Sequence, residues 1–227
     1  MRLSTTKVNT VALAIFDLDN TLLNGDSDYM WGQFLARQGL VNSGDYEKEN
    51  KRFYDEYVSG TLDIFEFLKF SLAPLSQIKM SELEELHNYF MDEYIRPIIT
   101  AKSRSLIQKH VARNDTLLII TATNLFITAP IAEELGIPNI LATDPEIIDN
   151  RYTGKVYGTP CFKEGKVERL KSWLKDTNEN LTGSYFYSDS HNDLPLLELV
   201  DKSIAVDPDD ILRSHAEMKG WDIISLK

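Results

Sequence analysis

Asp17 and Asp19 stand two residues apart, directly after the apolar run of residues 11–16. That run is short, carries β-branched residues and stops at an acidic turn, so it reads as a fully buried strand of a parallel sheet. On an extended backbone, residues i and i+2 point the same way. The carboxyl end of a strand is where open α/β sheets bind ligands. Two carboxylates held side by side repel each other unless a cation sits between them or a proton is shared. Oxygen ligands at such a mouth suit Mg²⁺. The plainer reading is an acidic turn whose Asp19 or Thr21 caps the next helix. The pair alone does not decide between the two.

Three further stretches offer matching chemistry. Thr121 ends the apolar run 117–120, where a hydroxyl can donate to a phosphate oxygen or close an ST-turn. Lys166 follows Gly165 near the start of a helical pattern. A cation there opposes the helix dipole, which is explained if it faces an anion; Lys163 is its competitor. Asp189 and Asp193 follow the apolar stretch 184–188. Between them, His191 reads as an exposed loop histidine. Cys161, near Lys166, reads as structural.

The elements that must position these groups fall into two patterns. Residues 24–96 carry aromatic and aliphatic residues at helical spacing and no strand pattern. Within them, residues 81–94 form an amphipathic helix with Ser81 as N-cap and Glu84 closing a capping box, and Pro97 ends the block. Elsewhere strands alternate with helices. Strands are expected at 116–120, 139–142, 184–188, 203–206 and 221–226, with a hairpin at 147–157. Helices are expected at 101–113, 124–135, 166–176 and 194–200, and a last one capped by Asp207. Such alternation means βαβ units in a doubly wound parallel sheet, with a small helical cap inserted after the first strand. The expected division is a core of residues 1–23 and 97–227 and a cap of residues 24–96. Residues 1–10 read as a short polar extension.

Bulk properties narrow the function. The 227-residue chain is 43% hydrophobic and 26% charged, with a net charge of −11. That balance argues against binding nucleic acid or an anionic membrane through bulk electrostatics. It also requires any phosphate site to make its own positive field. A single cysteine excludes an internal disulfide framework and fits a reducing compartment. No apolar run approaches a membrane span, and the first residues lack the apolar region of a signal peptide. The expectation is a cytoplasmic enzyme; the oligomeric state is not legible.

FDLDNTLL (16–23), IITAT (119–123), EGKVERL (164–170) and YSDSHNDLPLL (187–197) resemble, in kind and in order, the four motifs of the haloacid dehalogenase superfamily in its phosphoserine phosphatase branch. The resemblance implies a Rossmann-like core and hydrolysis of a small phosphorylated metabolite. It implies Asp17 as nucleophile and Asp19 as the acid that protonates the leaving alkoxide and then activates water. It places Mg²⁺ on the Asp17 carboxylate, the Asp19 backbone carbonyl and Asp189. The cation offsets a carboxylate–phosphate repulsion of roughly 4 kcal/mol at 4 Å in a surface-like dielectric. Thr121 and Lys166 would hold the phosphoryl oxygens, and Asp193 would orient a metal-bound water or Lys166. Asp26, Asn124 and Asn192 fall on the substrate side.

The alcohol is chosen by the cap. At the position of Asp26 the branch keeps an acid for a substrate ammonium, though Asp26 also reads as a helix N-cap. The arginine that the branch uses for a substrate carboxylate falls near Ser71. Lys69 is the nearest cation and lacks the bidentate fork. An amino-alcohol phosphate without a carboxylate fits better. Histidinol phosphate ranks first, phosphoserine second and another small phosphomonoester third. An imidazole could stack on Trp31, Phe53 or Tyr57, which otherwise read as bundle core. WGQFL (31–35) and GWDIISL (220–226) resemble histidinol-phosphatase-type members of the branch. The rival from another class is a receiver-like signalling module, which lacks a helical insertion and a DxDxT in its first strand.

Overall fold

The computed structural model describes residues 11–227, so the polar extension read at 1–10 lies outside the described residues. Its strands are β1 (Leu13–Phe16), β2 (Thr116–Asn124), β3 (Asn139–Ile148), β4 (Arg151–Tyr157), β5 (Tyr185–Ser188), β6 (Lys202–Val206) and β7 (Asp222–Ile224). They form one sheet in the order β4-β3-β2-β1-β5-β6-β7. Every neighbouring pair is parallel except β3 and β4. Phe16 lies level with Ile119 on β2 and with Tyr187 on β5. Whatever follows those three residues therefore emerges at one level on the carboxyl edge of the sheet.

Both faces of β1 are buried, as its unbroken apolar run requires. Ala14 and Phe16 join Ile119, Ile127 and Ile131 in one cluster. Leu13 and Ile15 join Leu118, Leu170 and Leu196 in the other. The first face is covered by α5 (Ala101–Val111) and α6 (Leu125–Leu135). The second is covered by α7 (Glu164–Asp176), the short α8 (Leu194–Leu197) and α9 (Asp210–Lys219). Each fully buried aliphatic or aromatic side chain contributes about 1.5–3 kcal/mol, so β1 is held at the centre from both sides.

Between β1 and α5 the chain forms four α-helices: α1 (Ser27–Arg37), α2 (Ser43–Val58), α3 (Ile64–Gln77) and α4 (Met80–Phe90). Their apolar residues Trp31, Phe34, Leu68 and Leu72 belong to the same cluster as Phe16. α3 lies against β4 and α1 against α6. The expected hairpin forms, turning through Asp149 and Asn150, both with positive φ (50° and 58°), as a two-residue primed turn requires.

Two caps differ from expectation. α4 begins at Met80, with Lys79 at its N-cap, so Ser81 sits inside the first turn and the capping box does not form. That turn is exposed, and water can satisfy its free amides. The last helix is capped by Asp209, which accepts from Leu212 N. Asp207 instead takes φ +43° and accepts from Leu226 N at 2.9 Å, tying down the end of the chain.

Candidate active site

The turn after β1 carries its two acids on extended residues. Asp17 has φ −69°, ψ 160° and Asp19 φ −69°, ψ 136°, while Asn20 turns the chain with φ 55°. The Asp17 amide donates to Tyr187 O at 2.9 Å, which locks the turn to β5. Lys166, at the start of α7, places its Nζ 2.7 Å from Asp17 Oδ1 and 2.8 Å from Asp193 Oδ2. Ser188 Oγ donates to the same Asp193 oxygen at 2.7 Å. Lys166 and Asp17 are 2% and 3% exposed. Gly165 makes this approach possible: a Cβ there would lie 2.0 Å from the Pro160 carbonyl oxygen.

Thr21 joins the first and last motifs. Its Oγ1 lies 3.0 Å from Asp189 Oδ1 and 3.4 Å from Asp17 Oδ2, and it accepts from Asp189 N at 3.0 Å. Asp19 accepts from Ser27 N at 2.6 Å and from Thr123 Oγ1 at 2.8 Å. Thr121 lines the cleft above Asp17 and also accepts from Thr123 N at 3.2 Å. The turn reading of that threonine is therefore observed, and a register shift between Ile120 and Asn124 lets β2 run on to Asn124.

Acids outnumber cations here. Burial pushes the Asp17 carboxyl up to about 7 against the opposing pull of Lys166. Burial raises Asp19, despite its hydrogen bonds, and raises Asp189 well above the usual carboxylate range. Burial alone would lower the Lys166 ammonium, but Asp17 and Asp193 outweigh it and hold it charged. An added cation relieves such a deficit. The converging Asp17 and Asp189 carboxylates, both within reach of one Thr21 hydroxyl, fit Mg²⁺. That ion takes one or two protein carboxylates and completes its shell with water and substrate phosphate. No denser group of three or more His, Cys, Asp or Glu poised to hold a metal occurs among the described residues.

The cleft above Asp17 spans about 550 Å³, its open mouth included, and no lysine or arginine lines it among the described residues. Asp26 lines it and also caps α1, accepting from Tyr29 N at 2.8 Å. Burial, followed by the charge of Asp19, pushes Asp26 up to about 7. Phe53 and Tyr57 lie in the cleft wall. Trp31 does not: it is buried against Phe34, Phe90 and Phe126. Lys69 is exposed and outside the cleft, and Ser71 is buried with its hydroxyl unpaired, so neither brings a positive charge to the cleft.

Two residues expected on the substrate side lie elsewhere. Asn124 is not brought to the cleft; its Oδ1 accepts from Ile127 N at 3.3 Å, because an asparagine between strand and helix is a strong N-cap. Asn192 lies outside the cleft wall and donates from Nδ2 to Tyr57 O at 3.0 Å, tying the loop after β5 to α2. His191 is not an exposed loop residue. Its Nδ1 lies 2.8 Å from Asp209 and its side chain is 14% exposed. Lys163, the competitor of Lys166, donates to Gly60 O at 2.9 Å. Residues not foreseen are Thr123 and Ser188, which position Asp19 and Asp193, and Asp28, which lines the cleft. Burial, with Asp26 and Asp19 adding to it, raises the Asp28 carboxyl well above its ordinary range. In the sequence it looks like any acid in a first helical turn.

Residues 14–198 match the family model of haloacid dehalogenase-like hydrolases. The chain is 49% identical to a histidinol-phosphatase of Neisseria meningitidis serogroup C (strain 8013), over 95% of this chain and 99% of that one. It is 32% identical to a phosphoserine phosphatase of Mycobacterium tuberculosis (strain ATCC 25618 / H37Rv), over 95% of this chain and 71% of that one. A Bordetella pertussis Tohama I protein of unknown function superposes with a TM-score of 0.90 at 43% identity, over 96% and 100% of the two chains. A substrate-bound phosphoserine phosphatase superposes with a TM-score of 0.71 at 22% identity, over 96% and 94%, a likeness of fold.

Proposed function

The chain belongs to the haloacid dehalogenase-like hydrolase family and is a phosphatase; from that premise we propose that it hydrolyses a small amino-alcohol phosphate, with histidinol phosphate first, through a phosphoaspartate on Asp17. One observation carries the reading. The buried Asp17–Lys166 pair lies under a cleft whose wall, among the described residues, holds acids and aromatic rings and no basic side chain. The 49% identity to a histidinol-phosphatase supports the same choice of substrate.

In this reading an Asp17 carboxylate oxygen attacks phosphorus and the bond from phosphorus to the ester oxygen breaks. The Asp19 carboxyl, held by Ser27 and Thr123 and kept protonated more readily by burial, gives its proton to the leaving oxygen. The resulting Asp19 carboxylate takes a proton from water, whose oxygen attacks the phosphoaspartate. The bond from phosphorus to Asp17 then breaks and both aspartates return to their starting states. Lys166 and the Thr121 hydroxyl hold phosphoryl oxygens in place, the positioning on which this chemistry depends. Mg²⁺ on Asp17, Asp189 and the Asp19 carbonyl would neutralise phosphate charge as the carboxylate approaches. Asp193, fixed by Ser188, orients Lys166. Residues 24–96 act as a cap over this mouth, a reading supported by Phe53 and Tyr57 of α2 standing in the cleft wall.

Phosphate release from a substrate panel tests the proposal. Activity should vanish with EDTA and with Asp17→Asn. Histidinol phosphate should give a higher kcat/KM than phosphoserine; the opposite order would reassign the substrate. A receiver-like module would show no multiple turnover.

A further inference from the structure

Asp28 has one carboxylate oxygen, Oδ2, that is buried and has no hydrogen-bond partner. The residue is 9% exposed and stands in the wall of the cleft that holds Asp17. An acid in the first turn of a helix is ordinary when solvated, where it complements the dipole. Burying a carboxylate oxygen with no donor is costly, and folding tolerates it where a ligand brings the donor. The surroundings say which donor. Asp26 shares the cleft wall, so this end repels a substrate carboxylate and attracts cationic groups. Tyr29 and Tyr54 stand beside the two acids in the wall with ring centroids 5.0 Å apart, a setting for a flat ring.

We propose that Asp28 is a second specificity carboxylate, accepting a hydrogen bond from a ring N–H of a substrate whose ammonium is held by Asp26. The substrate class is a phosphate monoester of an amino alcohol bearing a weakly basic nitrogen heterocycle. Removing the ring N–H leaves the buried oxygen without its donor, so discrimination comes from an unmade bond as much as from a made one. This inference deepens the substrate reading above and rests on it.

The test compares histidinol phosphate with phenylalaninol phosphate, in which a phenyl ring replaces the imidazole. The wild-type protein should favour the imidazole ester in kcat/KM by about 10- to 100-fold, the scale of leaving one buried polar group without its partner, mainly through KM. Asp28→Ala, which removes the acceptor, should reduce that ratio to within about threefold of unity, and Asp28→Asn, whose amide oxygen can still accept, should keep part of it. Because the ratio comes from one preparation, partial unfolding cancels; if Asp28→Ala does not fold, Asp28→Leu carries the same comparison. A wild-type ratio near unity, or an Asp28→Ala ratio equal to that of the wild type, would overturn the proposal. If phosphoserine outperforms both esters, it is the substrate reading that fails.

Discussion

Lys166 and Asp17, 149 residues apart in the chain, meet at 2.7 Å with both side chains almost wholly buried. A buried pair is weak evidence for stability in itself, because desolvation offsets the attraction. Removing one partner is another matter. Lys166→Met strands Asp17 and Asp193, each a hydrogen-bond partner of the ammonium. The expected result is a loss of about 3–5 kcal/mol in unfolding free energy at neutral pH. A fall in kcat of about 10²–10³ should accompany it, the usual scale for losing one preorganised charge. Chemical denaturation and steady-state kinetics on one preparation check both numbers. An unchanged stability would mean that the two carboxylates are already neutral without the lysine.

The approach of Lys166 depends on Gly165. A methyl group there would fall 2.0 Å from the Pro160 carbonyl oxygen, a backbone atom that cannot swing aside. Gly165→Ala must shift the start of α7, and a misplacement near 1 Å costs about 10²-fold in rate. Thermal unfolding separates local strain from collapse. A fully active alanine variant would show that Lys166 tolerates displacement.

Three contacts join the helical segment to the loops of the sheet, and a fourth anchors one of them. Lys163 donates to Gly60 O, Asn192 donates to Tyr57 O, Gly60 packs on His191, and His191 is anchored on Asp209. A Cβ on Gly60 would lie 2.6 Å from His191 Nε2, and the backbone there has φ +74°. Gly60→Ala should therefore hold α2 away from the mouth. Faster limited proteolysis between α2 and α3 and a raised KM are the expected outcomes. An unchanged cleavage rate would show that the Gly60–His191 contact does not hold α2 in place.

The four motif stretches were legible because each is a strand end or helix start, where local spacing fixes direction. That parallel strands share one carboxyl edge said that Asp17, Asp19, Thr121, Lys166, Asp189 and Asp193 could meet; their expected roles came from the resemblance to the four motifs of the family. What local spacing hid was the use of each polar atom. Asn124 carries an amide that could face substrate, yet the α6 N-cap claims it. Thr123 and Ser188 look like filler until the partner strands bring Asp19 and Asp193 to them. Asp28 was invisible because its burial depends on α2 packing against α1, a contact made across the helical segment and not along it.

His87 tests the seam between α4 and α6. It is buried, its Nε2 lies 3.0 Å from Ile127 O, and burial lowers its pKa below the ordinary 6.5. The folded state thus binds fewer protons than the unfolded chain once pH drops below about 6.5. The stabilisation from His87 is complete above that pH and is lost as pH falls. Because the raised carboxylates of the site pull the other way, the comparison must be internal. The Tm of wild type minus that of His87→Gln should shrink between pH 7.5 and 5.5. A constant difference would show that His87 does not titrate across folding.

The most direct test of the account is to trap the bond that Asp17 is said to form. Enzyme quenched in acid during turnover of histidinol phosphate, then reduced with borohydride, should have the side-chain carboxyl of residue 17 converted to a primary alcohol. Peptide mass spectrometry would locate the change, which should depend on both substrate and Mg²⁺. Reduction at residue 19, or turnover with no residue modified, would contradict the assignment of Asp17 as nucleophile.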